Sequence, residues 1–193
     1  MTHTVPSAAL SGLEVSPVTV EAAIRRGTPL IEIVGLSPSS ARACRERLRS
    51  AVAQLGLRVP GLRITVNLSP SDVRREGASF DLPIAVAILA GAGYVPSDRT
   101  GDWALVGELG LDGSVRAVRG ALPLALGCRG LPGIGGLIVP EENLEETRPV
   151  AGMPIRGARS LSAVLDFLRG SCSLVTLDRG RGSASPRPPV RCS

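Results

Sequence analysis

The chain has no lysine: all 22 of its Lys-plus-Arg positions are arginine. A guanidinium stays protonated where an amine can shed its proton, so Schiff-base chemistry, a serine–lysine dyad and a phosphate-loop lysine are all excluded. Histidine is almost missing too. The single one, His3, stands at a terminus expected to be mobile, and a Ser–His or Cys–His pair would need that end tied down beside a nucleophile. The aromatic residues are only Phe80, Phe167, Tyr94 and Trp103, too few for the stacking platforms of single-strand nucleic-acid readers. Cys44, Cys128, Cys172 and Cys192 form no CxxC pair and have no neighbouring histidine, which excludes a compact zinc site and points to structural thiols. The longest apolar run, residues 82–93, contains Pro83 and is too short to span a bilayer. Glu14 and Glu21 interrupt any secretion-signal layout in the first thirty residues. The expectation is a soluble cytoplasmic protein with no membrane partner.

What is present is an aliphatic core. In 193 residues, 44% are apolar, enough for one packed domain and too many for wholesale disorder. The net charge of +5 is uneven: residues 1–170 contribute +2, and residues 171–193, with four arginines against Asp178, contribute +3. Such a body does not demand a nucleic-acid partner. Two strands are expected between Val5 and Ile24 around Ser11-Gly12, and a third over residues 30–36. Residues 37–40 offer N-cap hydroxyls to an amphipathic helix over 41–55, whose Ala41, Cys44, Leu48, Ala51, Val52 and Leu55 recur every three or four positions. A turn at Pro60-Gly61 leads to a strand over 62–68, and Asp81 reads as the N-cap of an all-round apolar, hence buried, helix through Ala92. Residues 103–108 and 114–118 read as strands joined through Asp112-Gly113. A helix over 121–128, a strand over 136–140, a surface helix over 141–147, a strand over 154–157 and a helix over 161–168 follow. Strands and helices interleave, so the class is α/β (α+β), a mixed sheet packed with helices. The domain is placed at residues 1–170, and residues 171–193, rich in Ser, Pro and Arg, are read as a disordered tail.

Arg42, Arg45 and Arg49, and Arg74 with Arg75, are the candidates for phosphates or an acidic partner, set against solvated faces and local ion pairs. Glu141, Glu142, Glu145 and Glu146 read as a wetted helix surface, and no metal is assigned. Gly107, Gly110 and Gly113 do not match a dinucleotide loop and serve turns.

Several segments resemble, in order, the N-terminal region of the magnesium-chelatase-related ComM/YifB family. They are Ser7-Ala8-Ala9-Leu10-Ser11-Gly12-Leu13-Glu14, Ile33-Val34-Gly35-Leu36, Arg45-Glu46-Arg47-Leu48-Arg49, Arg63-Ile64-Thr65-Val66-Asn67-Leu68-Ser69-Pro70, Arg75-Glu76-Gly77, Phe80-Asp81-Leu82-Pro83-Ile84-Ala85, and Gly107-Glu108-Leu109 with Gly113 and Arg119-Gly120. The resemblance spans roughly residues 5–170 and implies a Lon-protease-like domain, a fold also found in a small-subunit ribosomal protein. In full-length relatives it precedes an AAA+ ATPase that uses ATP and Mg and acts on DNA, including branch migration during natural transformation. No GxxxxGK[ST] segment occurs here, so no cofactor is assigned to this chain. The related peptidases pair a serine with a lysine. Ser79, in Glu76-Gly77-Ala78-Ser79, matches the serine, but the lysine position falls near Leu122, which cannot accept a proton. The leading expectation is therefore a non-catalytic domain for assembly or substrate engagement, truncated before its motor. Its partners would be an AAA+ ATPase in cis or in trans, a second copy of itself, or DNA. The alternatives are a serine hydrolase using Ser79 with Glu76 or Asp81 as an unusual base, and a free-standing adaptor.

Overall fold

A computed structural model describes residues 2–12, 14–57, 62–70 and 78–177. The chain opens with a long hairpin, β1 (Thr2–Ser11) and β2 (Glu14–Arg25), in continuous antiparallel register from Thr2↔Ala23 to Ser11↔Glu14. Gly12, at φ 64, supplies the left-handed turn residue that a side chain would disfavour. His3 is therefore a strand residue opposite Ala22 rather than part of a mobile end. β3 (Leu30–Val34) and β4 (Arg63–Ser69) run parallel and are joined by α1 (Pro38–Gln54). Ser37 caps α1 by accepting from the Ser40 N–H at 3.2 Å, and Pro38 occupies the first turn, where its missing donor costs nothing. The sheet order is β1-β2-β4-β3.

α2 (Asp81–Gly91) lies under this sheet and is buried at every position from Asp81 to Ala90, as its uniform apolarity predicts. Each large aliphatic side chain so buried contributes about 1.5–3 kcal/mol. A second, all-parallel sheet has the order β5-β8-β9, formed by β5 (Trp103–Leu105), β8 (Gly136–Pro140) and β9 (Ile155–Ala158). α3 (Ala121–Cys128) and α4 (Leu161–Leu168) complete the domain. This is the mixed α/β architecture that the interleaved pattern predicts.

Three local expectations change. The predicted hairpin from residue 103 divides. Residues 103–105 join the parallel sheet, the Val106 N–H continues it by donating to the Ile138 carbonyl, and only β6 (Glu108–Leu109) pairs with β7 (Val115–Arg116). The division falls at Gly107, where an added Cβ would come within 2.9 Å of Val115 and 3.1 Å of Leu82. Second, residues 141–147 form two short 3-10 turns, Glu141–Asn143 and Glu145–Thr147, with Asn143 and Thr147 buried. Third, residues 171–177 pack on the body although composition groups them with the tail: the Gly157 N–H donates to the Val175 carbonyl at 2.8 Å, and Leu174 is buried. The tail from residue 178 and the turn at Pro60-Gly61 lie outside the described residues.

The two sheets meet where β1 passes β5. Ser7, only 1% exposed, donates its hydroxyl to the Leu105 carbonyl at 2.8 Å across 98 residues of sequence. Ser7→Ala strands that carbonyl without a donor and is expected to lower the unfolding free energy by about 1–2 kcal/mol, read as a lower urea midpoint at unchanged slope.

Candidate functional site

The site begins at the start of α2, where the sequence motifs converge. Asp81, expected as an N-cap, is instead the first helical residue; Phe80 precedes it without any side-chain cap. Its carboxylate, 1% exposed, turns inward. A carboxylate removed from water needs a cation and further donors, and α1 supplies the cation: Arg47 Nε lies 2.5 Å from Oδ2 and Nη2 lies 3.0 Å from Oδ1. The Leu109 N–H adds a third contact at 3.3 Å. The hydrogen bond that Arg47 donates to Asp81 raises the pKa of its guanidinium further, with Glu108 contributing at longer range.

The segment after Gly107 is laced to the same helix end. The Gly107 N–H donates to the Ser79 carbonyl at 2.9 Å, and the Leu82 N–H donates to the Gly107 carbonyl at 3.1 Å. Ser79 is thus held through its backbone. It is half-buried, and its hydroxyl makes no hydrogen bond among the described residues. Of the two unusual bases, both oxygens of Asp81 are engaged by Arg47, and Glu76 lies outside the described residues. Leu122 is in the first turn of α3, and its N–H donates to Glu146 Oε1 at 3.2 Å, so a carboxylate occupies that helix start. His3 is at the other end of α2, beside Gly91. Ten residues of helix, about 15 Å, separate it from Asp81.

Arg42, Arg45 and Arg49 do share α1, with Arg42 and Arg49 exposed and Arg45 half-buried. Arg49 pairs with Glu46 at 3.5 Å. Arg74 and Arg75 lie outside the described residues. The acidic run is no uniform wetted surface. Glu141 holds Arg159 through two contacts of 2.5 and 2.6 Å, Glu145 holds Arg148, and Glu146 caps α3 while accepting from Asn143 at 3.2 Å. Asn143 in turn bonds both backbone groups of Val118, at 2.8 and 2.9 Å.

Sequence reasoning missed the cleft these contacts frame. It has a volume of about 840 Å³, with β7 and Ala117 on one wall and Glu141, Glu142 and Arg159 on the other, and Glu108 reaches into it. Its lining carries both charges, Glu108, Glu141 and Glu142 with Arg116 and Arg159, beside the apolar Val115 and Ala117. The only sequence signal was that Glu108 and Arg116 fall in register on adjacent short strands. Among the described residues no three His, Cys, Asp or Glu side chains are placed to hold a metal ion, and no helix is long and apolar enough to cross a membrane.

Cys44 and Cys128 are free, buried thiols, whereas Cys172 is disulfide-bonded, which corrects the expectation of structural thiols throughout. Burial, and then the Asp81 carboxylate, pushes the Cys44 thiol far up; burial alone pushes Cys128 up to about 12.

Comparison with known proteins shows a match to the family of subunit ChlI of Mg-chelatase over residues 20–143. An uncharacterized protein of Mycobacterium tuberculosis is 38% identical over 168 residues, covering 87% of this chain and 33% of that protein. The uncharacterized protein YifB of Escherichia coli is 36% identical over 163 residues, covering 84% and 32%. The competence protein ComM of Haemophilus influenzae is 34% identical over 164 residues, covering 85% and 32%. The chain spans about a third of the length of these curated relatives.

Two outcomes follow from this geometry. Arg47→Ala leaves a buried carboxylate without its cation and is expected to cost about 3 kcal/mol of unfolding free energy, whereas Arg116→Ala, on an exposed strand end, costs less than about 0.5 kcal/mol; urea titration of both variants checks this. Because the folded thiols keep their protons to higher pH than the unfolded ones, their contribution to stability is complete below the ordinary value of 9.0 and falls as pH climbs toward about 12. A thiol-reactive disulfide reagent should accordingly leave Cys44 and Cys128 unmodified at neutral pH until the protein is denatured, as mass spectrometry would read directly.

Proposed function

We propose that this chain, which belongs to the ChlI-like magnesium-chelatase family of YifB and ComM, is a non-catalytic unit serving assembly or substrate engagement for an AAA+ motor that acts on DNA. The Lon-protease-like character implied by its motifs belongs to the same reading: the serine position survives and the amine does not. One observation carries it. Where a base would project, the chain has Leu122 on a helix start held by Glu146, while Asp81, the carboxylate at the start of α2 among the described residues, is locked to Arg47. Activating Ser79 would require the buried Asp81 carboxylate to give up its guanidinium partner, a step costing several kcal/mol. Hydrolysis of ATP, with its Mg, belongs on this reading to the ATPase portion of the longer relatives. The work is cytoplasmic, and self-association or docking in trans are forms of the same role.

The test mixes the purified chain with the remaining two-thirds of YifB. Co-elution in size-exclusion chromatography, together with no ATP or peptide turnover by the chain alone, is the expected result. Stoichiometric labelling of Ser79 by a serine-reactive phosphonate, or peptide turnover lost in Ser79→Ala, would overturn it in favour of the hydrolase.

A further inference from the structure

α2 and α3 share a signature in sequence and meet different fates. α3 reads Ala-Leu-Pro-Leu-Ala-Leu-Gly-Cys, with no charged or strongly polar side chain, and a helix apolar on every side is one that is covered on every side. α2 obeys this rule and is buried throughout from Leu82 to Ala90. α3 does not: Ala121, Leu124, Ala125 and Cys128 are buried, whereas Leu126 is 44% exposed and Leu122 only half-buried. The covered side is accounted for within the domain. Gly120 sits against Leu10 and Gly127 against Val15, neither with room for a Cβ, and Leu124 and Cys128 pack in one cluster with Leu137 and Val139 of β8. On the open side Leu122, Leu126 and Arg129 follow one another at steps of four and three, so they share a face.

The borders of that face are basic. Arg119, just before the helix, and Arg129, at its end, are exposed. Among the described residues neither has an acidic partner, and Arg129 reaches only the Ala151 carbonyl, at 3.5 Å. The carboxylates of the neighbouring turns are engaged or turned elsewhere. Glu145 holds Arg148, Glu146 accepts from the Leu122 N–H and from Asn143, and Glu141 and Glu142 line the cleft beside β7. Glu14 precedes Val15 on β2 and so faces the other side of the hairpin, because successive strand residues alternate. These charges choose among occupants. Residues 178–193 carry four arginines against Asp178, and Val190 is their one large aliphatic side chain: the sign is wrong and the apolar surface too small. A second copy seated on the same face about a two-fold axis would set Arg119 and Arg129 against their own counterparts, and opposed like charges disfavour association. What complements the face is an apolar stripe bordered by carboxylates, as an amphipathic helix presents it.

We infer that the outward face of α3, Leu122 and Leu126 between Arg119 and Arg129, is the docking surface for a partner helix whose apolar side is bordered by carboxylates. The inference deepens the docking role proposed above and rests on it only for where such a helix is sought, in the portion of YifB that this chain does not span.

Two probes test it on the whole chain. The first is a labelled helical peptide of about 15 residues with leucines along one side and glutamates at its borders, read by fluorescence anisotropy beside a twin bordered by lysines. The glutamate form should bind at least ~10-fold more tightly than the lysine form, with the margin shrinking as salt rises. Leu126→Glu should weaken that binding at least ~10-fold and leave the melting temperature unchanged, since the side chain is outward. Combining Arg119→Ala with Arg129→Ala should erase the preference for glutamate, while Arg25→Ala on the first sheet should bind as the parent does. The second probe is the remaining two-thirds of YifB, whose co-elution Leu126→Glu should abolish. A parent that binds neither peptide or both alike, a Leu126→Glu variant that binds or co-elutes undiminished, self-association that Leu126→Glu removes, or capture by phosphatidylglycerol vesicles in place of the peptide would each overturn the inference. Leu126-dependent peptide binding without co-elution of the parent upholds this surface and counts against the docking role, so the two failures are told apart.

Discussion

A carboxylate at the first turn of a fully buried helix cannot exist without an answering cation, and the Asp81–Arg47 pair is that answer. Only the planar fork of arginine meets a carboxylate through two parallel hydrogen bonds, which suits a chain that has no lysine at all. The contact joins three pieces that are distant in sequence: α1 through Arg47, α2 through Asp81, and the β6–β7 hairpin through the Leu109 N–H. Gly107, too tightly enclosed for any side chain, lets the strand leave the second sheet and lie along the helix start. The motif residues around 79–82 and 107–109 are thus one structural junction, and its chemistry is that of a clamp.

That clamp bears directly on function. A hydrolytic serine needs a base free to take a proton. Here the nearby acid is neutralised, the lone histidine is at the opposite end of α2, and the start of α3 is held by Glu146. Outward, the domain presents a mixed-charge cleft beside β7.

Much of the fold was legible in the residues themselves. The heptad-like spacing in α1, the unbroken apolarity of α2 and the Asp112-Gly113 turn all correspond to what forms, because each depends on local periodicity or backbone preference. What was not legible required long-range contact. Glu141, Glu145 and Glu146 look alike in sequence, yet one pairs with Arg159, 18 residues away, one with Arg148 and one with a helix start. His3 seemed a loose end because nothing local shows that β2 holds it. The candidates on α1 could be named from spacing; the opposition of Arg25 and Arg63 could not, since register is decided only when strands 38 residues apart pair.

By itself the sequence determined the available chemistry: without an amine side chain, and with one histidine, no arrangement of this chain yields a lysine base or a phosphate-loop lysine. It determined family and class for the same reason, since motif order and hydrophobic period are properties of the string. Tertiary structure alone decided which charges are compensated and which are left facing water, because electrostatic neutralisation depends on distances of a few ångströms between residues that the string keeps far apart.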